Sequence, residues 1–241
     1  MTRAATDDLP MKQEVIWDHY QNEGVDSFDG AAPRLEYLVR RLKRGERALN
    51  IGVGSGALER LAHGKGVEIF SLDPSERAIT ELRRKMPIGD RAQAGYAQAA
   101  PFPSSHFDVV IMSEVIEHLD EETRAGTLRE VHRMLRPGGR FIGTVPAREQ
   151  LRLNEVVCPH CGQHFHRWGH QASFDIASLS KILGEWFSID SVHERFFNEW
   201  ESASWTRRMT GLLKKFLSWR GLGTYGVARN IYFSVHKPQE I

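Results

Sequence analysis

Nine residues, Ala48-Leu49-Asn50-Ile51-Gly52-Val53-Gly54-Ser55-Gly56, restrict what this chain can fold into more than any others do. An apolar run of strand type meets three glycines at alternate positions, and a helical pattern opens at Ala57. Glycine takes left-handed conformations without steric cost and lets backbone approach a ligand, while a helix N-terminus adds its amides and dipole. A second strand-like run, Val67 to Leu72, ends at Asp73, 21 residues after Gly52. A carboxylate there can accept hydrogen bonds from both hydroxyls of a ribose, so the two features together predict an adenosine-containing ligand. The dinucleotide fingerprint is G-x-G-x-x-G, whereas Gly52, Gly54 and Gly56 follow G-x-G-x-G with Ala57 in sixth place. That spacing leans away from a nicotinamide cofactor.

The same alternation continues along the chain. Strand signals at Ala48 to Val53, Val67 to Leu72, Phe107 to Met112 and Arg140 to Val145 are separated by helical patterns at Ala57 to His63, Ser75 to Lys85 and Thr123 to Leu135, with another helix at Leu35 to Lys43. Pro137-Gly138-Gly139 is expected to stop the last of these helices before its strand. Strands alternating with helices imply a parallel sheet covered on both faces. Phe187 to Phe197 and Asn230 to His236 read as two further strands. At 241 residues, 41% hydrophobic and 26% charged, the chain is expected to be a single domain spanning 1–241. Thirty-two Lys and Arg against 31 Asp and Glu give no footprint of a dedicated nucleic-acid binder. Two cysteines exclude the disulfide framework of a small secreted scaffold, and no signal-peptide pattern opens the sequence, so a cytoplasmic location is expected.

From Leu49 to Val145 the chain resembles the class I S-adenosylmethionine-dependent methyltransferases. The resemblance is carried by Leu49 to Gly56, Asp73-Pro74-Ser75, Gly95-Tyr96-Ala97-Gln98-Ala99-Ala100-Pro101-Phe102-Pro103, Phe107 to Leu119 and Leu128 to Arg140. It implies a Rossmann-like, doubly wound, seven-stranded, mostly parallel α/β sheet with an antiparallel last strand. It also implies S-adenosylmethionine as cofactor, held by Asn50, Gly52, Gly54, Gly56, Asp73, Pro74, Tyr96, Ala97 and Ser113. Asn50 departs from the family's usual acidic residue, and Tyr96 from a frequent Asp at the adenine amine. The implied activity is methyl transfer to a small acceptor, with O-methylation of a sugar or glycan-linked substrate first. A phenolic metabolite, an RNA or protein acceptor, and a non-catalytic cofactor-binding module are the alternatives.

Acid–base candidates fall just after the fourth strand, since open α/β sheets bind ligands at the carboxyl ends of their strands. Glu114 and His118 stand there, and an i, i+4 spacing would place both on one helical face. The competing reading has Glu117-His118 capping that helix. The region 1–45, with Trp17, His19 and Tyr20, is either a lid over the cofactor or a packed N-terminal helix.

Two stretches stand apart. Residues 148–173 hold both cysteines and four of the eleven histidines. Cys158 and Cys161 have C-x2-C spacing with Gly162 for the tight turn, and His166 and His170 add an H-x3-H pair. Four N and S ligands predict a closed, structural Zn²⁺ site in a small insertion at the acceptor edge. His164 is the alternative to His166, and a thiol redox motif is the alternative to metal. Residues 198–229 are Trp-rich and basic. Trp205, Met209, Leu212, Leu213 and Phe216 follow helical spacing, with Arg207, Arg208, Lys214 and Lys215 on other faces. That helix either packs on the domain or makes a peripheral membrane contact.

Overall fold

Alternating strand and helix signals become, in the computed structural model, a twisted sheet with helices on both faces. The structure describes residues 15–17, 19, 31–197 and 229–239. In chain order the elements are α1 (Ala32–Val39), β1 (Arg47–Ile51), α2 (Ala57–Gly64), β2 (Glu68–Asp73), α3 (Glu76–Lys85), β3 (Ala92–Ala94) and β4 (Phe107–Ser113). They continue with α4 (Glu121–Met134), β5 (Leu135–Pro146), β6 (Glu155–Val157), β7 (His164–His166), α5 (Ile176–Gly184), β8 (Ser188–Phe196) and β9 (Arg229–His236).

The sheet runs β3-β2-β1-β4-β5-β9-β8, and β6 with β7 forms a separate hairpin. Pairings from β3 through β5 are parallel, whereas β9 lies antiparallel to both β5 and β8. The last strand in the chain is therefore the antiparallel one, as expected. Period-two alternation sorts β4 between two cores. Val109 and Ile111 join Ala48, Ile69 and Ile142 beneath Leu38, Leu58, Ala62 and Ile79 of α1 to α3. Val110 and Met112 join Leu49, Phe141 and Phe233 beneath Leu128 and Val131 of α4 and Leu179 and Leu183 of α5. Burial on both faces explains why the central strands read as continuous apolar runs.

Side-chain caps start two helices that flank the ligand edge. Ser75 accepts from the Ala78 amide at 3.2 Å to open α3, and Asp120 accepts from the Thr123 amide at 2.8 Å to open α4. Three details differ from the sequence reading. β3 is only Ala-Gln-Ala, too short to give an apolar run, and α5 follows the Cys/His stretch without a periodic lead-in. β5 also begins before Pro137 rather than after Gly139, with Leu135 opposite Phe107 and a register shift before Arg140 meets Val109. The Trp-rich stretch lies outside the described residues except Arg229, which opens β9. Among the described residues no helix is long and apolar enough to cross a membrane.

Candidate functional site

The sheet order turns at β1, with β2 on one side and β4 on the other, and the glycine loop leaves β1 at that point. Gly52, Gly54 and Gly56 have φ of 91°, 53° and 73°, all in the left-handed region. The Gly52 amide donates to the Leu72 carbonyl at 2.9 Å. A β carbon on Gly52 would lie 2.6 Å from Val115 Cγ2, in the segment leaving β4. The Val115 side chain thus fills the space where a Gly52 side chain would stand, and the loop is cradled between the carboxyl ends of β2 and β4.

Asp73 is fully buried beneath this loop. Its carboxylate accepts from the Val53 amide at 2.8 Å and the Ser75 amide at 2.9 Å, tying the glycine loop to the start of α3. Pro74 is exposed next to it, and the Gly95 amide donates to the Asp73 carbonyl at 3.0 Å. That bond brings the half-exposed Tyr96 and the turn Ala97–Ala99 to the same edge.

Asn50 is buried, and its side-chain amide donates to the Gly52 carbonyl at 3.1 Å and to Glu59 Oε1 at 2.7 Å. The Ser71 hydroxyl donates to the same Glu59 oxygen at 3.0 Å. An acid is therefore present after all, carried on α2 rather than on β1. Burial pushes the Glu59 carboxyl above its ordinary range, although the bonds from Asn50 and Ser71 pull the other way. The folded state then holds a proton that the unfolded chain has released, so this group's contribution to stability falls as pH rises from about 4.5 toward the raised value. Glu59→Gln keeps a neutral hydrogen-bonding side chain and removes that slope. Relative to wild type, its Tm should be higher at pH 8 than at pH 5; equal differences at the two pH values would show that Glu59 does not titrate this way.

After β4 the chain does not form the α-helical turn expected from i, i+4 spacing. Glu114 has φ of 58°, a strained value for a glutamate, and only a 3-10 turn, Ile116–His118, follows. Asp120, not Glu117-His118, caps α4. Glu114 instead faces Arg34 Nη1 at 3.9 Å and accepts from the Asn230 amide at 2.9 Å. Arg34 Nε also donates to Ser113 Oγ at 3.1 Å, and Ser113 Oγ lies 3.0 Å from Thr144 Oγ1. His118 turns inward. Its Nδ1 accepts from the Trp17 indole N–H at 3.1 Å, and burial, with His170 nearby, pushes it down to about 3. It is neutral at working pH with its lone pair already engaged. Burial, reinforced by Glu114, pushes the neighbouring Glu117 carboxyl well up.

The Cys/His stretch separates into two parts. Cys158 and Cys161 sit at the tip of the β6–β7 hairpin, where Gly162 has φ of 75° and donates its amide to the Cys158 carbonyl at 2.8 Å. Backbone bonds from Cys161 and His160 hold the Cys158 thiol below its ordinary range. The turn is the one expected of a knuckle. His166 and His170, however, come together with Glu149 at the base of the hairpin. Glu149 lies 3.2 Å from His166 Nε2 and 2.5 Å from His170 Nδ1. Burial pushes the Glu149 carboxyl up, but the His170 hydrogen bond and the charge of the two histidines outweigh it and hold it low. The four expected zinc ligands are thus not brought to one point: the pairing Glu155 to His166 places His166 three residues down the hairpin from Cys158, and His170 lies beyond β7 beside Glu149. His164, the alternative, is exposed at the start of β7.

A family model for a methyltransferase domain matches residues 49–143. Over 180 residues the chain is 33% identical to a malonyl-[acyl-carrier protein] O-methyltransferase of Enterobacter lignolyticus, covering 74% of this chain and 69% of that protein. The chain belongs to the class I S-adenosylmethionine-dependent methyltransferases. A ubiquinone biosynthesis O-methyltransferase of Aromatoleum aromaticum is 30% identical over 130 residues, which span 52% of this methyltransferase and only 55% of that relative. Among solved structures, Burkholderia thailandensis 1,6-didemethyltoxoflavin-N1-methyltransferase with bound S-adenosylhomocysteine matches with a TM-score of 0.65 at 16% identity. That match covers 94% of this chain and 87% of the other, and shows the shared fold.

Several residues of this methyltransferase's edge carried no signal in the sequence. Arg34 and Asn230 reach Glu114 from 80 and 116 positions away, and Glu149 has no motif spacing to the histidines it joins. Glu59 did leave a trace, as an acid between Leu58 and Ala62 on the buried face of α2.

Proposed function

We propose that this methyltransferase acts on an oxygen of a small acceptor, with a hydroxyl of a sugar or glycan-linked substrate first and a phenol second. The observation that carries the methyl-transfer part of this reading is the cradle formed by Gly52, Gly54 and Gly56 above the buried Asp73 carboxylate. In this reading Asp73 takes the ribose hydroxyls, the loop amides approach the amino-acid part of the cofactor, and Asn50, Pro74, Tyr96, Ala97 and Ser113 border it. When bound, S-adenosylmethionine supplies an electrophilic methyl on a sulfonium. The protein's work is then to align the acceptor, exclude water and give the acceptor's proton somewhere to go.

Glu114 suits the last task. It stands at the carboxyl end of β4 in a strained backbone conformation, and its Oε1 is buried with no hydrogen-bond partner. Strain concentrated at a ligand edge is a feature of functional positions. His118, with its lone pair given to Trp17, suits positioning better than proton removal. The Trp17 contact supports a lid role for the N-terminal region. A structural Zn²⁺ on Cys158 and Cys161 keeps the support of their spacing and of the knuckle turn, while His166 and His170 stay with Glu149. Transfer to oxygen is favoured by the O-methyltransferases among its relatives.

The test is a panel of sugar-nucleotide, glycan, phenol, peptide and RNA acceptors with methyl-labelled cofactor. Label should pass to a hydroxyl acceptor and be lost in Glu114→Gln by at least about tenfold, the low end of what a positioned base contributes. Transfer to nitrogen or carbon alone, or no transfer to any class, would overturn the reading.

A further inference from the structure

We propose that Glu117, His118 and His170 form a divalent-cation site on the acceptor side of the cofactor cleft, separate from the cysteine pair. One potential ligand atom from each of the three lies within 4.8 Å of the others. Glu117 is 1% exposed, and neither of its carboxylate oxygens has a hydrogen-bond partner. A carboxylate buried without partners is strongly unfavourable unless a cation or a proton compensates it. Glu114 Oε1, also buried and without a hydrogen-bond partner, adds a second acidic oxygen on the same segment.

The two histidines have the outer contacts that metal-binding imidazoles need. His170 Nδ1 lies 2.5 Å from Glu149 Oε2, so a proton held on Nδ1 leaves Nε2 as the donor atom for an ion. His118 uses its other nitrogen on the Gly169 backbone, and its ring meets the His170 ring at 4.6 Å and 85°. His166 stacks behind His170 at 4.6 Å, with its Nδ1 accepting the His170 amide at 3.1 Å, and so supports the site without entering it. A neutral imidazole has a single lone pair, and the Trp17 indole holds that of His118. An ion at His118 therefore displaces Trp17, so the ion and the Trp17 indole compete for one lone pair.

Two imidazoles and one carboxylate are a borderline N/O set, suited to Mn²⁺ through Zn²⁺, and three protein ligands leave positions open. The ligand class those positions fit is a molecule with two neighbouring oxygens, a vicinal diol or a catechol. That use rests on the methyl-transfer reading; ion binding itself does not.

Titration of the chelated full-length protein with Zn²⁺ and with Mn²⁺ tests the site, with S-adenosylhomocysteine binding measured on the same samples. Cys158→Ser/Cys161→Ser should keep one ion per chain. In that background Glu117→Gln and His170→Gln should each weaken the ion more than about 100-fold, Glu149→Gln about tenfold, and Trp17→Phe not at all. Co²⁺ in the wild-type chain gives a readout that needs no ligand variant to fold: one class of ion should show d–d bands without thiolate charge transfer. Loss of all ion binding with the cysteines, or an ion indifferent to both Glu117→Gln and His170→Gln, overturns the proposal. An ion bound by a chain that does not take S-adenosylhomocysteine overturns the methyl-transfer reading instead and leaves the site standing.

Discussion

Asp73→Ala is expected to weaken S-adenosylhomocysteine binding by at least about 100-fold and to lower stability by about 2–6 kcal/mol. Two separate losses combine. The Val53 and Ser75 amides, now donating to the carboxylate at 2.8 and 2.9 Å, lose their acceptor inside the protein. Each buried donor left without a partner costs about 1–3 kcal/mol. The ribose then loses two charge-assisted hydrogen bonds, each of about 1.5–3 kcal/mol, which sets the lower bound on affinity. Asp73→Asn separates the two, because its amide keeps one acceptor oxygen at nearly the same shape. It should recover about half of the lost stability measured by urea unfolding, because Val53 and Ser75 donate to different oxygens and only one remains an acceptor, and little of the affinity measured by calorimetry. Binding retained within about threefold in Asp73→Ala would remove Asp73 from the ribose site and leave it only as a clamp on the loop.

Where the chain carried its own local signal, the sequence was enough. Alternation placed β1, β2, β4 and β5 and the helices between them, because each has an apolar stripe or a run that must be buried. The glycines and Asp73 were legible because backbone conformation and a strand terminus are local properties. The site beyond them was not. Glu114 and His118 were both found, but their relation was misread: helix periodicity assumes α-region backbone, and φ of 58° at Glu114 breaks it at the first residue. In the Cys/His stretch the spacing gave the knuckle turn correctly and the histidine partner incorrectly. Ligand spacing carries no information on a carboxylate such as Glu149 that arrives from β5's far end, and the hairpin register moves His166 away from Cys158. Asn50 shows the same limit, since the acid absent from its position is carried by Glu59 through a contact made only by folding.

Gly52→Ala should be the more damaging of the two substitutions to the shape of the cradle. Its φ of 91° costs about 1–3 kcal/mol for any residue with a β carbon. The added carbon would also meet Val115 Cγ2 at 2.6 Å. Valine is β-branched and stiff about χ1, so the contact is relieved only by moving the segment that carries Glu114. Overpacking of this kind adds about 1–3 kcal/mol, and for a chain of this size each kcal/mol lowers Tm by about 2–4 °C. A fall of roughly 4–24 °C is the expected result, with S-adenosylhomocysteine affinity lost along with it. Gly52→Ala/Val115→Ala removes the collision but not the left-handed strain. It should regain part of the Tm and leave cofactor affinity impaired, because the left-handed strain at φ of 91° still distorts the loop. Full recovery of affinity in the double variant would mean that Gly52 is needed only to let the β4 exit pack, and that the cofactor approaches the loop elsewhere.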